Sequence, residues 1–194
     1  MAHYLKDIYR LYKLGSSTGG SYISIDKSLF VNINGEKIWI IGAKNNETCK
    51  IRIDVFKSRN QDDMKTFIYN HIRENITITT DRWSAYNFLD DSNYNHEVHI
   101  HGPHWNFGFR LHSTSLIEGI LGTLKNKITK IYNCIPADNF ILFLREAEFR
   151  YNLSKLDDDK KEKTIIDVFE YLYNTANFDF YDLEELIDNN DYDI

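Results

Sequence analysis

The chain has 194 residues, enough for one domain with a sizeable core or one domain with an appendage. It contains no run of eighteen apolar residues, which excludes a membrane-spanning helix. The net charge of −6 is unevenly spread: residues 157–194 hold 13 acidic and 3 basic side chains, a net of −10, which leaves +4 on residues 1–156.

A basic body with an acidic tail excludes a uniformly basic nucleic-acid binder but suits local phosphate contact. The opening Met-Ala-His-Tyr-Leu-Lys-Asp lacks the apolar stretch of a secretory signal. Cys49 and Cys134 match no metal spacing. An intracellular protein with two reduced thiols is expected, nuclear if the source is eukaryotic.

In chain order, Leu5, Ile8, Leu11 and Leu14 fall at helical spacing, and the run Gly15–Gly20 reads as a linker. Tyr22–Asn32 and Cys49–Phe56 alternate apolar and polar residues, and Lys37–Ala43 carries Ile38-Trp39-Ile40-Ile41. These read as three strands, with Asn34-Gly35 as the hairpin turn between the first two. Gln61–Glu74 has one apolar face and reads as a helix. Ile76–Thr80 is a short β-branched strand, Trp83–Phe88 a short helix and Glu97–His101 another strand. Ser113–Ile131 and Asp138–Leu153 have helical periodicity. The order βββ-α-β-α-β-α-α predicts an α/β, RNase H-like fold: a mixed five-stranded sheet, three antiparallel strands then parallel ones, flanked by helices. The domain reading is a short N-terminal helical segment over 1–19, the catalytic fold over 20–156, and an acidic tail over 157–194. In the tail, the run Asp157–Lys163 reads as solvated charge, and Ile165–Tyr173 and Asp182–Ile187 as two short helices.

Three carboxylates carry the chemical signal. Asp26 interrupts the apolar strand Ile23-Ser24-Ile25, and Asp81 stands where Ile76–Thr80 stops. Ligand sites of open α/β sheets form at the carboxyl ends of strands, so neighbouring first and fourth strands would bring the two together. Glu118 opens a helix, and Lys125, two turns on, lies on the same face. Carboxylates suit hard divalent ions, and a pair of such ions clamps a phosphodiester between attacking and leaving oxygens. Singly, each has a plainer reading: Asp81 as a cap for the next turn, Asp26 on a solvent face, Glu118 as an exposed helix residue.

The segments around them are similar to the DDE transposases of the bacterial ISXO2-like group and the related eukaryotic Merlin elements, within the IS1595-like superfamily. Ile25-Asp26-Lys27-Ser28-Leu29-Phe30-Val31 resembles I-D-E-S-x-F-V, and Thr80-Asp81-Arg82-Trp83-Ser84-Ala85-Tyr86 resembles T-D-x-W-x-A-Y. Ser113-Thr114-Ser115-Leu116-Ile117-Glu118-Gly119, with Leu124-Lys125 following, resembles H-T-N-x-I-E-G with a later L-K. Phe149-Arg150-Tyr151-Asn152 matches the closing F-R-Y-N. Four ordered motifs over about residues 21–155 outweigh the plainer readings.

The resemblance implies that Asp26, Asp81 and Glu118 are the catalytic triad and hold two Mg²⁺ or Mn²⁺ ions. Lys125, His112 and Ser115 would face substrate. The implied activity is DNA strand cleavage at element ends and transfer of the freed 3′-hydroxyl to target DNA, by a homodimer assembled on DNA. Trp83 and Tyr86 would orient the Asp81 loop. The chain departs from the motifs at Lys27 (usually Glu), at Ser113 and Ser115 (His and Asn) and at Leu121 (often Trp). Residues 1–19 are too short to supply the zinc ribbon or helix-turn-helix that often precedes this domain. A rival expectation is therefore a catalytically inactive, truncated or co-opted remnant that binds DNA or protein; a weaker one is a stand-alone RNase H-type nuclease. His96, His99, His101, His104 and His112 crowd one span. Without a cysteine or carboxylate at a recognised spacing, one or more of them read as active-site-edge residues approaching DNA, in preference to a zinc site.

Overall fold

A computed structural model describes residues 13–16, 21–31, 37–99, 113–131 and 137–174. Strands β1 (Tyr22–Val31), β2 (Lys37–Asn45) and β3 (Ile51–Phe56) are followed by helix α1 (Gln61–His71) and strand β4 (Thr77–Thr80). A 3₁₀ helix (Ser84–Asp91), strand β5 (Asn95–Val98), and helices α2 (Ser115–Ile131), α3 (Ala137–Leu153) and α4 (Asp158–Asn174) complete the described elements. The sheet order is β3-β2-β1-β4-β5. β1 is antiparallel to β2, and β2 to β3, whereas β1–β4 and β4–β5 are parallel. This is the RNase H-like arrangement expected from the element order.

Strand periodicity divides the core in two. Ile23 and Ile25 of β1, with Ile41, Ala43 and Ile78, face α1 and pack with Met64, Phe67, Ile68 and Tyr86. Phe30 of β1, with Ile40, Ile51 and Ile53, faces α2 and α3 and packs with Ile117, Leu121 and Leu144. Asp26 has the parity of Phe30 and so belongs to the α2 side. Lys27 has the parity of Ile25 and belongs to the opposite side. One glycine sets the height of α2. Gly42 is the β2 partner of Asp26, and a Cβ there would stand 3.0 Å from both Ile117 Cδ1 and Leu121 Cδ2. The missing side chain lets α2 seat on the sheet beside Asp26.

α1 starts where Asn60 Oδ1 accepts from the Asp63 N–H at 2.8 Å, with Asp62 and Asp63 in its first turn. Its expected Arg73–Glu74 end is not helical, because Ile72 is extended and pairs with Leu14. Leu14 thus departs from the helical segment expected for residues 1–19. It is buried in an isolated parallel bridge, accepting from Arg73 N at 3.0 Å and donating to His71 O at 2.7 Å. Burial beside Ile72 decides the conformation of Leu14. The remainder of the N-terminal segment, the Asn34-Gly35 turn, Cys134 and the Asp182–Ile187 helix lie outside the described residues.

The charge run Asp157–Lys163 is mostly exposed and opens a helix. Asp157 Oδ1 accepts from Lys160 N at 2.9 Å and caps α4, which continues through Asn174 as one 17-residue helix. No helix among the described residues is long and apolar enough to cross a membrane.

Candidate active site

Parallel pairing of β1 with β4 runs Tyr22–Thr77, Ile23–Ile78 and Ser24–Thr79. Two residues further along each strand stand Asp26 and Asp81, so one register places both at the same sheet edge. Glu118, in the first turn of α2, overlies β1 from the α2 side. The charges of Glu118 and Asp81 both act on Asp26. Asp26 is pushed up to about 6, first by burial and further by the charges of Glu118 and Asp81, against the lowering effect of the Lys27 backbone N–H and ammonium.

Each carboxylate is positioned differently. Asp26 is half-buried in the strand. Glu118 Oε1 accepts from Thr114 Oγ1 at 2.8 Å, and Thr114 is fully buried. The turn before α2 is tied to β1 because Ser24 Oγ donates to the Ser113 carbonyl at 3.1 Å. Asp81 uses both oxygens: Oδ1 accepts from Trp83 N at 3.2 Å, and Oδ2 accepts from Lys27 Nζ at 2.6 Å. The capping reading of Asp81 is therefore part of the truth, since it makes an Asx-type turn into the 3₁₀ helix. As they stand, no three His, Cys, Asp or Glu side chains among the described residues are close enough to hold one metal ion. Asp26 and Glu118 lie on the α2 side, while Asp81 turns to Lys27 on the other.

Trp83 and Tyr86 underlie the Asp81 turn as the sequence suggested. Their rings meet edge-to-face at 5.8 Å, and Tyr86 is fully buried. The Tyr86 hydroxyl has no hydrogen-bond partner among the described residues. Burial raises it well above its ordinary range, and the charges of Asp81 and Asp26 raise it further.

The other expected residues scatter. Lys125 Nζ donates to the Leu29 carbonyl at 2.8 Å and lies 5.6 Å from the Phe30 ring, three residues along β1 from Asp26. Ser115 is exposed at the start of α2, its hydroxyl 2.7 Å from that of Ser113. His112 lies outside the described residues, as do His101 and His104. His96, one of the five clustered histidines, has a structural contact instead. Its side chain is 5% exposed, with Nδ1 2.6 Å from Asp90 and Nε2 2.9 Å from Thr80 Oγ1. It braces the strand end that carries Asp81.

Sequence reasoning missed a buried ionic network at the far edge. Glu148, fully buried on α3, accepts from Arg52 Nη1 at 2.9 Å and Arg145 Nη1 at 2.8 Å. Arg145 also donates to the Ile53 carbonyl and, at 3.0 Å, to Asp54, which pairs with His71 of α1. Asn152 closes the edge: its Oδ1 accepts from Ile51 N at 2.8 Å and its Nδ2 donates to Ile51 O at 3.0 Å. Its side-chain amide stands in for the next strand. The F-R-Y-N motif, read at first as a marker only, is thus the clamp of α3 on β3.

With this geometry in hand, sequence comparison decides the family. The family model of the ISXO2-like transposase domain matches residues 19–152. The chain belongs to the ISXO2-like transposase family. The matched span of this transposase domain runs from just before β1 to the last turn of α3 and leaves α4 outside. No curated protein matches the chain. Solved structures that resemble it include the HTLV-2 integrase catalytic core domain in complex with magnesium. In its dimeric form this shows 15% identity and a TM-score of 0.46, covering 66% of this chain and 82% of that one; the trimeric form gives the same values. The simian T-cell lymphotropic virus intasome in complex with PP2A regulatory subunit B56 gamma is also similar, at 18% identity and a TM-score of 0.45 over 64% of this chain. The match spans 46% of that intasome chain, less than half its length.

Proposed function

We propose that this domain is the catalytic core of a DNA transposase, cutting DNA strands at element ends and joining them to target DNA. The observation that carries the reading is the common register of Asp26 and Asp81 beneath the helix that supplies Glu118. Family membership supports it independently.

The donor set suits hard divalent ions. Asp26 is raised first by burial and then by the charges of Glu118 and Asp81, and a divalent cation would offset both. Asp26, Asp81 and Glu118 would hold Mg²⁺ or Mn²⁺, two ions in all, once Asp81 turns from Lys27. When bound, the ions supply Lewis acidity to the attacking and leaving oxygens of a phosphodiester.

The protein's own groups then have distinct tasks. Asp26 is fixed by the strand ladder and gives the site its rigid ligand. Glu118 is steered by Thr114. Lys125, beside β1, would meet a backbone phosphate, and substrate contact is proposed for His112 and Ser115 as well. The +4 charge of residues 1–156 is compatible with phosphate contact, and a homodimer on DNA is the assembly we propose.

Nicking and strand transfer with the element's terminal DNA, in Mg²⁺ or Mn²⁺, test the reading. Activity is expected to fall at least about a thousandfold in Asp26→Ala, a loss of roughly 4 kcal/mol of transition-state stabilisation. Undiminished activity in that variant would remove Asp26 from the mechanism. The rival reading, a silent binding module, is favoured by one observation, the engagement of Asp81 by Lys27. It predicts DNA binding with no cleavage under any metal condition.

A further inference from the structure

Lys27 follows Asp26 in β1 but projects from the opposite face. Its ammonium is 2.6 Å from Asp81 Oδ2 and 4.7 Å and 5.8 Å from the ring centroids of Trp83 and Tyr86. The Lys27 side chain is 10% exposed and that of Asp81 28%. The other Asp81 oxygen is already used by Trp83 N. Both carboxylate oxygens thus have protein partners, and the stronger one is a cation. An ammonium is a compact positive charge with three donors, able to take the place at a carboxylate that a metal ion would otherwise fill. The two aromatic faces hold it there by cation–π attraction.

We infer that Lys27 is a positioning residue that holds Asp81 away from Asp26 and Glu118, so that a divalent ion has to displace a tethered ammonium before the three carboxylates unite. This rests on the metal-binding reading of the triad. Two costs follow for an arriving ion. The Lys27–Asp81 bond breaks, and the freed ammonium stays near, because its short tether begins one residue from Asp26. Both weaken affinity. The effect depends on charge more than shape, so arginine at the same place preserves it and a neutral side chain of similar length abolishes it.

Titration of the full chain with Mn²⁺, reading free Mn²⁺ by electron paramagnetic resonance, tests the inference. Lys27→Met and Lys27→Gln are both used, so that misfolding of one leaves the other, with circular dichroism checking each. Both are expected to bind Mn²⁺ about tenfold or more tightly than the wild type, one decade in the dissociation constant. Lys27→Arg is expected to stay at wild-type affinity. The gain should vanish when Asp81→Asn is added, since the lock then has nothing to hold. Equal or weaker binding by both neutral variants overturns the role of Lys27 while leaving the triad reading intact. Absence of saturable Mn²⁺ binding by the wild type and every variant overturns the triad reading and this inference with it.

Discussion

Two aspartates at one sheet edge have opposite relations to folding. Asp26 has no cation of its own in hydrogen-bond contact among the described ion pairs, and burial with two like charges holds it up at about 6. Asp81 is the carboxylate partner of a nearly buried lysine. Asp26→Asn is therefore expected to stabilise the metal-free protein at pH 8, by roughly 1–3 kcal/mol, because it removes a charge the fold disfavours. Asp81→Asn is expected to destabilise it by about 1–3 kcal/mol, a discounted figure for a partly exposed pair, because it leaves the Lys27 ammonium uncompensated. Urea unfolding in EDTA reads both. Shifts of the same sign would contradict the distinct positions assigned to them. Gains of stability on removing a functional carboxylate are the usual mark of a site held in an unfavourable state for its chemistry.

At the level of elements, α2 matters through its height above the sheet. A Cβ on Gly42 would already stand tight, 3.0 Å from Ile117 Cδ1 and Leu121 Cδ2, so the larger Gly42→Val is expected to lift α2, at about 1–3 kcal/mol from overpacking. Glu118 moves with the helix, so strand cleavage should fall by more than the loss of folded protein explains. Unfolding curves measured beside cleavage rates check this. Proportional losses would mean that Gly42 serves packing alone.

The strands were legible because apolar alternation and turn residues agree in β1, β2 and β3. The shared register of two carboxylates was legible from Asp26 interrupting β1 and Asp81 ending β4. Other features were not. Leu14 shows helical spacing with its neighbours, yet its partner Ile72 is distant in the chain and turns it into a bridge residue. Glu148 reads as one more helix carboxylate until the fold brings Arg52 to it across 96 positions. Lys27 reads as a plain substitution beside Asp26. Only strand parity, with Asp81 curling toward the α1 side, shows that it meets the second carboxylate and not the first.

Across the whole molecule, the acidic groups give a pH profile with a definite sign. Asp26 is raised in the fold, so its contribution to stability is fully present below its ordinary value of 3.8 and is lost as pH rises through about 6. Asp54 is lowered: burial pushes it up, but the His71 hydrogen bond and the Arg145 charge outweigh burial. Its stabilisation is present above 3.8 and is lost as pH falls through its depressed value. For these two groups together, stability is greatest near pH 4 and declines from there to about pH 6. In EDTA, Tm at pH 5 should exceed Tm at pH 8, and Asp26→Asn should narrow the gap. A gap unchanged by that substitution would assign it to other groups.

Anomalous diffraction from crystals of the full chain grown with Mn²⁺ tests the central claim most directly. The account predicts two Mn²⁺ peaks about 3.5–4 Å apart, the spacing of two-metal phosphoryl-transfer sites. They should be bounded by Asp26, Asp81 and Glu118, with Asp81 released from Lys27. Manganese peaks elsewhere on the surface, with the Lys27–Asp81 bond intact at saturating Mn²⁺, would contradict it.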